Sequence, residues 1–125
     1  MKKPKYTPGR NISMKVPPHE FKETVAFYRD VLGFEEISGS VSGSDKSVRF
    51  RFGDKILWID CVPAMSQAEI WLEIETDDVE AASAHLELNR VVRCDGIEPL
   101  HESFKGFWLS SPANIIHLVT SSENT

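Results

Sequence analysis

The residue whose type most clearly suggests a chemical role is His117, in the stretch SPANIIHLVT that covers residues 111–120. It is the only titratable side chain of that stretch and is flanked by isoleucine, leucine and valine. An imidazole can bind a divalent metal ion, act as a general acid or base near neutral pH, or simply pack within a strand. The stretch itself leaves these three alternatives open.

Two tryptophans and two carboxylates form a second set of candidates. Trp58 and Asp60 alternate in KILWIDCV, and Trp71 and Glu73 alternate in EIWLEIE. Because alternate residues of a strand point to the same side, these four residues are predicted to share one face with Asn11 and Lys15 of NISMKV. Indole rings bind flat apolar groups and attract cations, and nearby carboxylates would add to that attraction. The set predicts a pocket for an apolar or cationic aromatic compound.

A structural role for the same aromatic residues is the alternative. Trp58 and Trp71 could fill the interior and close the pocket, because large aromatic side chains are common packing residues. Trp108, in GFWLSS, leaves both roles open. Arg49 and Arg51 alternate with apolar residues in SVRFRF, which is more typical of a half-exposed strand than of an anion site.

Two segments that could position these residues have the spacing of amphipathic helices. In PPHEFKETVAFYRDVLGFEEI the apolar positions recur every three or four residues at Phe21, Val25, Tyr28 and Leu32. Pro18 suits the first turn of this helix, and Gly33 suits its end. In TDDVEAASAHLELNRVV a second apolar stripe comprises Val79, Ala82 and Leu86. Asp77 and Glu80 resemble a capping box at its start.

The other segments predict strands in a repeated order. NISMKV precedes the first helix, and SVRFRF and KILWIDCV follow it. EIWLEIE precedes the second helix, and GFWLSS and NIIHLV follow it. EEISGSV and VVRCDGI predict weaker strands. Each half therefore runs strand, helix, strand, strand, strand, with an offset of roughly sixty residues.

Composition excludes several classes of function. The chain has 125 residues and a net charge of -5, with no basic cluster beyond MKKPK, so a nucleic-acid partner is not expected. Its longest apolar runs are too short to cross a membrane. Cys61 and Cys94 have neither zinc-site nor C-x-x-C spacing, and no signal peptide is recognisable. These features predict a single cytoplasmic domain with reduced thiols.

Three segments, TVAFYRDVLGFEE, ETDDVEAASAHLE and FKGFWLSSPANIIHLV, carry a family resemblance. In this order they resemble the vicinal oxygen chelate superfamily, which includes glyoxalase I, extradiol dioxygenases and bleomycin-resistance proteins. The resemblance implies an α+β fold of two βαβββ modules, whose curled mixed sheets surround a concave cavity. Module one would cover about residues 8–62 and module two about residues 68–121. The turn Ser111-Pro112-Ala113-Asn114 lacks the aspartate and glycine of the family's aspartate-proline-x-glycine-asparagine motif.

The metal-ligand positions of the family, as the resemblance implies them, fall on Asn11, Trp58, Trp71 and His117. An indole has no usable lone pair, and a divalent ion typically takes three or more protein ligands. The residues at these four positions therefore predict that the metal centre of the family is missing. No other cofactor is expected. An alternative carboxylate–histidine metal site could use Asp60, Glu73 and His117, but no close spacing supports it.

The leading functional prediction is a metal-independent, homodimeric binding protein that sequesters an apolar or cationic aromatic compound, such as an antibiotic. Its predicted ligand-binding residues are Asn11, Trp58, Asp60, Trp71, Glu73, Trp108 and His117. The alternative is a glyoxalase-like lyase or isomerase, or a dioxygenase, with His117 as acid–base residue or partial metal ligand. A third hypothesis is an interaction module with a closed pocket.

Overall fold

The computed structural model describes residues 3–38 and 46–122, in which the same order of elements occurs twice. The first set is β1 (Tyr6–Val16), α1 (Pro18–Ala26) with a π-helical turn (Phe27–Val31), β2 (Glu36–Ile37), β3 (Ser47–Phe52) and β4 (Lys55–Cys61). The second set is β5 (Glu69–Thr76), α2 (Val79–Leu88), β6 (Val92–Arg93), β7 (Gly106–Ser110) and β8 (Ile116–Ser121). The predicted α+β class with mixed sheets is confirmed.

The chain divides into two compact units. The first unit is Arg10–Trp71, and the second unit combines the described residues of Met1–Gly9 and Leu72–Thr125. β1 therefore contributes its first residues to the second unit and the remainder to the first. No helix among the described residues is long and apolar enough to cross a membrane.

The first unit contains a mixed sheet in the order β2-β3-β4-β1, with β1 and β4 parallel and the other pairs antiparallel. One face of this sheet is apolar and packs against α1. The buried core between them comprises Val25 of α1 and the sheet residues Val16, Phe50, Leu57 and Ile59. Strand alternation places hydrophilic and tryptophan side chains on the opposite face. We call this the polar face and define it by Asn11, Ser13, Lys15, Ser47, Arg49, Trp58 and Asp60.

The end of the first helix differs from the prediction of a regular helix up to Gly33. The α-helix ends at Ala26 and continues as a π-helical turn, in which the Leu32 N–H bonds to the Phe27 carbonyl at 2.9 Å. A π turn contains more residues than an α turn, so it rotates the following side chains away from the apolar stripe. Leu32, predicted to lie on that stripe, is 45% exposed. Gly33, at φ +72°, then ends the helix as predicted.

The second unit repeats the design around α2. Its sheet runs β5-β8-β7-β6, with β5 and β8 parallel and the other pairs antiparallel. The core residues beneath α2 are Ala82, Phe107, Leu109 and Val119. The N-cap of α2 is Asp78, whose Oδ1 accepts a hydrogen bond from the Ala81 N–H at 3.0 Å. The predicted cap at Asp77 is therefore wrong by one residue, and the Asp77 carboxylate instead accepts the Lys5 backbone N–H.

Strand positions follow the predictions, but strand lengths differ. β1 begins at Tyr6, five positions before the predicted start, whereas β2 and β6 are two-residue strands. The last three residues of the EEISGSV prediction, 39–41, lie outside the described residues. The β3–β4 hairpin turns at Gly53, whose φ of +66° suits a residue without a side chain.

Candidate ligand-binding face

The polar face is assembled by cross-strand pairing of β3, β4 and β1. The register places Trp58 of β4 beside Ser13 of β1 and Arg49 of β3. It places Asp60 of β4 beside Lys15 and Ser47 in the same way. Because residues opposite one another share a face, the side chains form two adjacent rows, one centred on Trp58 and one on Asp60.

In the first row, the Trp58 indole makes a hydrogen bond at its edge and contacts a guanidinium over its ring face. Its Nε1–H donates a hydrogen bond to Asn11 Oδ1 at 2.7 Å, and the Arg49 Cζ lies 5.4 Å from its ring centroid. Asn11 and Trp58 are two of the positions at which the family resemblance implies metal ligands. The asparagine oxygen, the one atom of this pair that could bind a cation, is already used by the indole.

In the second row, Asp60 is surrounded by donors. Its Oδ2 accepts a hydrogen bond from Ser13 Oγ at 2.5 Å and lies 3.1 Å from Lys15 Nζ. Its Oδ1 accepts a hydrogen bond from Ser47 Oγ at 2.6 Å. The side chains of Lys15 and Asp60 are only 9% and 14% exposed. The carboxylate is therefore paired and hydrogen-bonded, as an enclosed charge must be.

Trp71 joins the same cluster through Lys15. The Lys15 Nζ lies 4.6 Å from the centroid of the Trp71 ring, and Trp71 Nε1–H donates to Glu69 Oε2 at 3.0 Å. Trp71 is 5% exposed. Each of these two tryptophans thus already carries a cation of the protein over its ring, which argues against the predicted preference for a cationic ligand.

The other predicted ligand residues belong to the second unit. The Glu73 side chain lies against Gly9, where an added Cβ would come within 2.5 Å of Glu73 Cγ. Trp108 is 5% exposed, and its Nε1–H donates to the Glu98 carbonyl at 3.0 Å. The described contacts of Trp108 are thus those of a packed residue. The ligand-binding roles of Glu73 and Trp108 stay predictions.

His117 lies on the side of the β5–β8–β7 sheet that packs against α2. The register pairs it with Leu72 and with Leu109, a core residue beneath α2. Glu73 is next to Leu72 in β5 and so points to the opposite side. The structure therefore separates Glu73 from His117, and the alternative carboxylate–histidine metal site cannot use this pair together.

The turn before β8 contains a residue with positive φ. Asn114 has a φ of +62°, the left-handed conformation that the glycine of the family motif would adopt easily. Asn114 thus takes the place of the glycine. In the β7–β8 register, the residue opposite Trp108 is Leu118, and His117 is opposite Leu109. The His117 Nδ1 lies 2.9 Å from the Ile115 carbonyl, to which an Nδ1–H can donate.

The donor set does not fit the divalent ion that the family resemblance suggests. Within residues 3–38 and 46–122, no group of three or more His, Cys, Asp or Glu side chains is placed to hold a metal ion. Asn11 and Trp58 bond to each other, and Asp60 is taken by Lys15 and two hydroxyl groups. A hard or borderline cation would have to break these contacts to gain its ligands.

Sequence reasoning missed several residues of the polar face. It placed Lys15 there but overlooked Ser13 and Ser47 and assigned Arg49 to an ordinary half-exposed strand. A signal was available, since the patterns S-x-K in NISMKV and S-x-R in SVRFRF put a hydroxyl two residues before a cation. Strand alternation puts both members of each pattern on one face.

Three further titratable groups, His85, Tyr6 and Cys94, lie outside the polar face. The Nδ1 of His85, in α2, lies 2.8 Å from the Tyr6 hydroxyl. Burial raises the pKa of the Tyr6 phenol, which therefore stays a neutral hydrogen-bonding partner. Burial, together with the nearby Asp95, raises the pKa of the Cys94 thiol and lowers its nucleophilic fraction.

Comparison with known proteins shows likeness in structure but not in sequence. No family model and no curated protein matches the chain. A Mn(II)-bound glyoxalase from Novosphingobium aromaticivorans has a TM-score of 0.65 at 21% identity, over 94% of this chain. The matched region is only 40% of that glyoxalase.

Two further solved structures match over nearly their whole length. A variant of methylmalonyl-CoA epimerase from Streptomyces coelicolor, in complex with 2-nitronate-propionyl-CoA, has a TM-score of 0.63 at 18% identity. The match covers 94% of this chain and 99% of the epimerase. A glyoxalase/bleomycin resistance protein/dioxygenase superfamily member from Vibrio splendidus 12B01 has a TM-score of 0.61 at 14% identity, over 93% and 100% of the two chains. The chain therefore has the vicinal oxygen chelate fold that the sequence predicted.

Proposed function

We propose that the polar face of the first unit binds a flat, largely apolar small molecule without a metal ion. The observation that carries the proposal is the 2.7 Å hydrogen bond between Trp58 and Asn11, which joins two positions where the family resemblance implies metal ligands. An indole fixed in this way offers a rigid apolar platform rather than a lone pair. Sequestration of a compound such as an antibiotic remains the biological role that we propose.

The surroundings of Trp58 combine exposed apolar surface with fixed polar groups, as small-molecule sites do. Trp58 is only half-buried, so part of its ring remains open to a ligand. Around it stand a few fixed polar groups, whose side chains are held by hydrogen bonds and by the Lys15–Asp60 pair. Binding sites typically combine such apolar area with a small number of oriented polar groups.

The enzyme alternative receives less support from the geometry. His117, the residue to which the sequence assigned acid–base chemistry, lies on the α2 side of its sheet and near the Ile115 carbonyl. Several proteins of this fold are enzymes, including the glyoxalase and the epimerase described above. At identities of 21% and 18%, that likeness extends to the fold and gives no residue a catalytic role here.

Binding can be tested with three naphthalene probes that share one ring and differ in charge: 2-naphthoate, 2-naphthylmethanol and 2-naphthylmethylammonium. We expect at least one of them to bind in titration calorimetry, with the same Kd before and after dialysis against EDTA. Trp58→Leu should weaken that binding about tenfold, because it removes the stacking platform while keeping an apolar side chain.

A matched control is Phe27→Leu, which removes an exposed aromatic ring outside the polar face. This control should leave the Kd of the probe within about twofold, since surface substitutions away from a site have small effects. Absence of binding for all three probes would contradict the proposed function. Loss of binding after EDTA treatment would contradict its metal independence.

The wider organisation is also proposed rather than established. We propose a single domain with the module limits predicted above, acting as a cytoplasmic homodimer. Exposed apolar side chains of the second unit, Leu88 and Val92, support an interface, and the free Cys61 and Cys94 are compatible with a reducing compartment. Light scattering should give a mass near twice 14.1 kDa, whereas a mass near 14.1 kDa would contradict the dimer.

A further inference from the structure

We infer that the ligand of the polar face carries a planar anionic group, such as an aromatic carboxylate, and that Arg49 binds it. The inference rests on the binding function proposed above and specifies the charge of the ligand. It reverses the cationic preference that the sequence predicted. Three features of the polar face and its neighbours support it: occupied indole rings, a satisfied carboxylate and an unsatisfied guanidinium.

The positions that would attract a cation are already occupied by the protein. Lys15 Nζ lies 4.6 Å from the centroid of the Trp71 ring, and Arg49 Cζ lies 5.4 Å from that of Trp58. A cationic ligand would have to displace one of these groups and would also meet its like charge at close range. The two rings therefore favour a ligand that is not positively charged.

The central carboxylate offers no unmet attraction for a cation. Asp60 accepts hydrogen bonds from Ser13 and Ser47 and pairs with Lys15 at 3.1 Å. Its charge is thereby balanced within the protein. An incoming ammonium group would compete with a lysine that is already held in place and largely removed from water.

Arg49 has a buried N–H donor that lacks a hydrogen-bond acceptor. A guanidinium has five N–H donors, yet the Nε of Arg49 is buried without a hydrogen-bond partner. Its Nη2 reaches the Ser38 carbonyl only at 3.5 Å, the outer limit of a hydrogen bond. Arg51, two residues along the strand, contrasts with it because its Nε donates to Glu35 at 2.7 Å.

A planar anion would supply a hydrogen-bond acceptor for the Nε–H of Arg49. The enclosed, unpaired Nε–H carries a desolvation cost that an acceptor would offset. A carboxylate can accept two parallel hydrogen bonds from a guanidinium, after a small rotation of the side chain that brings Nε into reach. An aromatic ring attached to that carboxylate would lie beside Trp58, on which the guanidinium already stacks.

The test compares the same three naphthalene probes on the wild-type protein and on Arg49→Gln. We expect 2-naphthoate to bind at least about tenfold more tightly than 2-naphthylmethylammonium, because only the carboxylate gains charge-assisted hydrogen bonds. Arg49→Gln should weaken 2-naphthoate binding by about tenfold or more and change 2-naphthylmethanol binding about twofold at most. The control Arg51→Gln removes an equal charge from the same strand and should change 2-naphthoate binding by about twofold or less.

The possible outcomes separate this inference from the function on which it rests. Tighter binding of the ammonium probe, or unchanged 2-naphthoate binding by Arg49→Gln, would overturn the inference while leaving a binding protein. Equal losses in the Arg49 and Arg51 variants would also overturn it, because the effect would then be one of net charge. Binding of none of the probes would overturn both. Circular dichroism and the Tm of each variant check that the fold is retained.

Discussion

Phe50→Ala should lower the free energy of unfolding by about 3–5 kcal/mol, the range found when a fully buried phenylalanine is truncated. Phe50 is 0% exposed and lies at the centre of the first unit's core. Its ring centroid is 6.0 Å from that of Tyr28, and its cross-strand neighbour Leu57 is also buried. Truncation would leave a cavity between the sheet and α1 that these neighbours can only partly fill.

The matched control is Phe52→Ala in the same strand. Phe52 is 41% exposed and makes an edge-on contact with Phe34 at 5.9 Å, so its loss should cost about 1 kcal/mol or less. Guanidinium unfolding of the two variants, followed by circular dichroism, measures the difference. If Phe50→Ala cost no more than Phe52→Ala, the assignment of the first unit's core would be wrong.

The alternation of strand residues made much of the first unit predictable. In NISMKV, SVRFRF and KILWIDCV, every second residue is apolar, and most of these residues, although not the exposed Phe52, form the core against α1. The same period correctly predicted that Asn11, Lys15, Trp58 and Asp60 share one face. A period of two fixes which side of a sheet a residue occupies once the strand itself is recognised.

Local backbone events limited the prediction elsewhere. The π-helical turn shifted Leu32 from the apolar stripe, and nothing in a spacing of three and four residues distinguishes a π turn from an α turn in advance. In the turn before β8, Asn114 adopted the conformation expected of glycine. The family resemblance put a metal-ligand position at His117, whereas Leu118 is the β8 residue opposite Trp108. An error of one residue in assigning a strand position exchanges the two faces of the sheet.

The charge of the ligand that the polar face prefers could not be predicted from the residues of each strand considered separately. Asp60 and Arg49 lie on different strands, and their partners became clear only from the register of β1, β4 and β3. Considered alone, an aspartate near a tryptophan indicates attraction for a cation. Because Lys15 already pairs with that aspartate and the Nε of Arg49 lacks an acceptor, the same residues favour an anion.

Asp60→Ala should lower the free energy of unfolding by about 3–5 kcal/mol, because it leaves the Lys15 ammonium enclosed without its counter-charge. The Lys15 side chain is 9% exposed and that of Asp60 is 14% exposed, with 3.1 Å between Nζ and Oδ2. The variant also strips Ser13 and Ser47 of the carboxylate that accepts their hydroxyl protons. Urea unfolding at neutral pH measures the change.

A double-mutant cycle tells whether the cost comes from the pair or from the aspartate alone. The cycle consists of Lys15→Met, Asp60→Leu and the double variant, which removes both charges and keeps apolar volume. The double variant should be clearly more stable than the sum of the losses in those two single variants predicts. Glu35→Gln is the control, since it breaks an exposed pair with Arg51, whose side chains are 69% and 64% exposed, and should cost about 1 kcal/mol or less. Additive losses across the cycle would mean that Lys15 and Asp60 do not depend on each other. In that case Lys15 would not balance the charge of Asp60, and Asp60 could attract a cationic ligand. The preference of the polar face for an anion at Arg49 would then lose one of its supports.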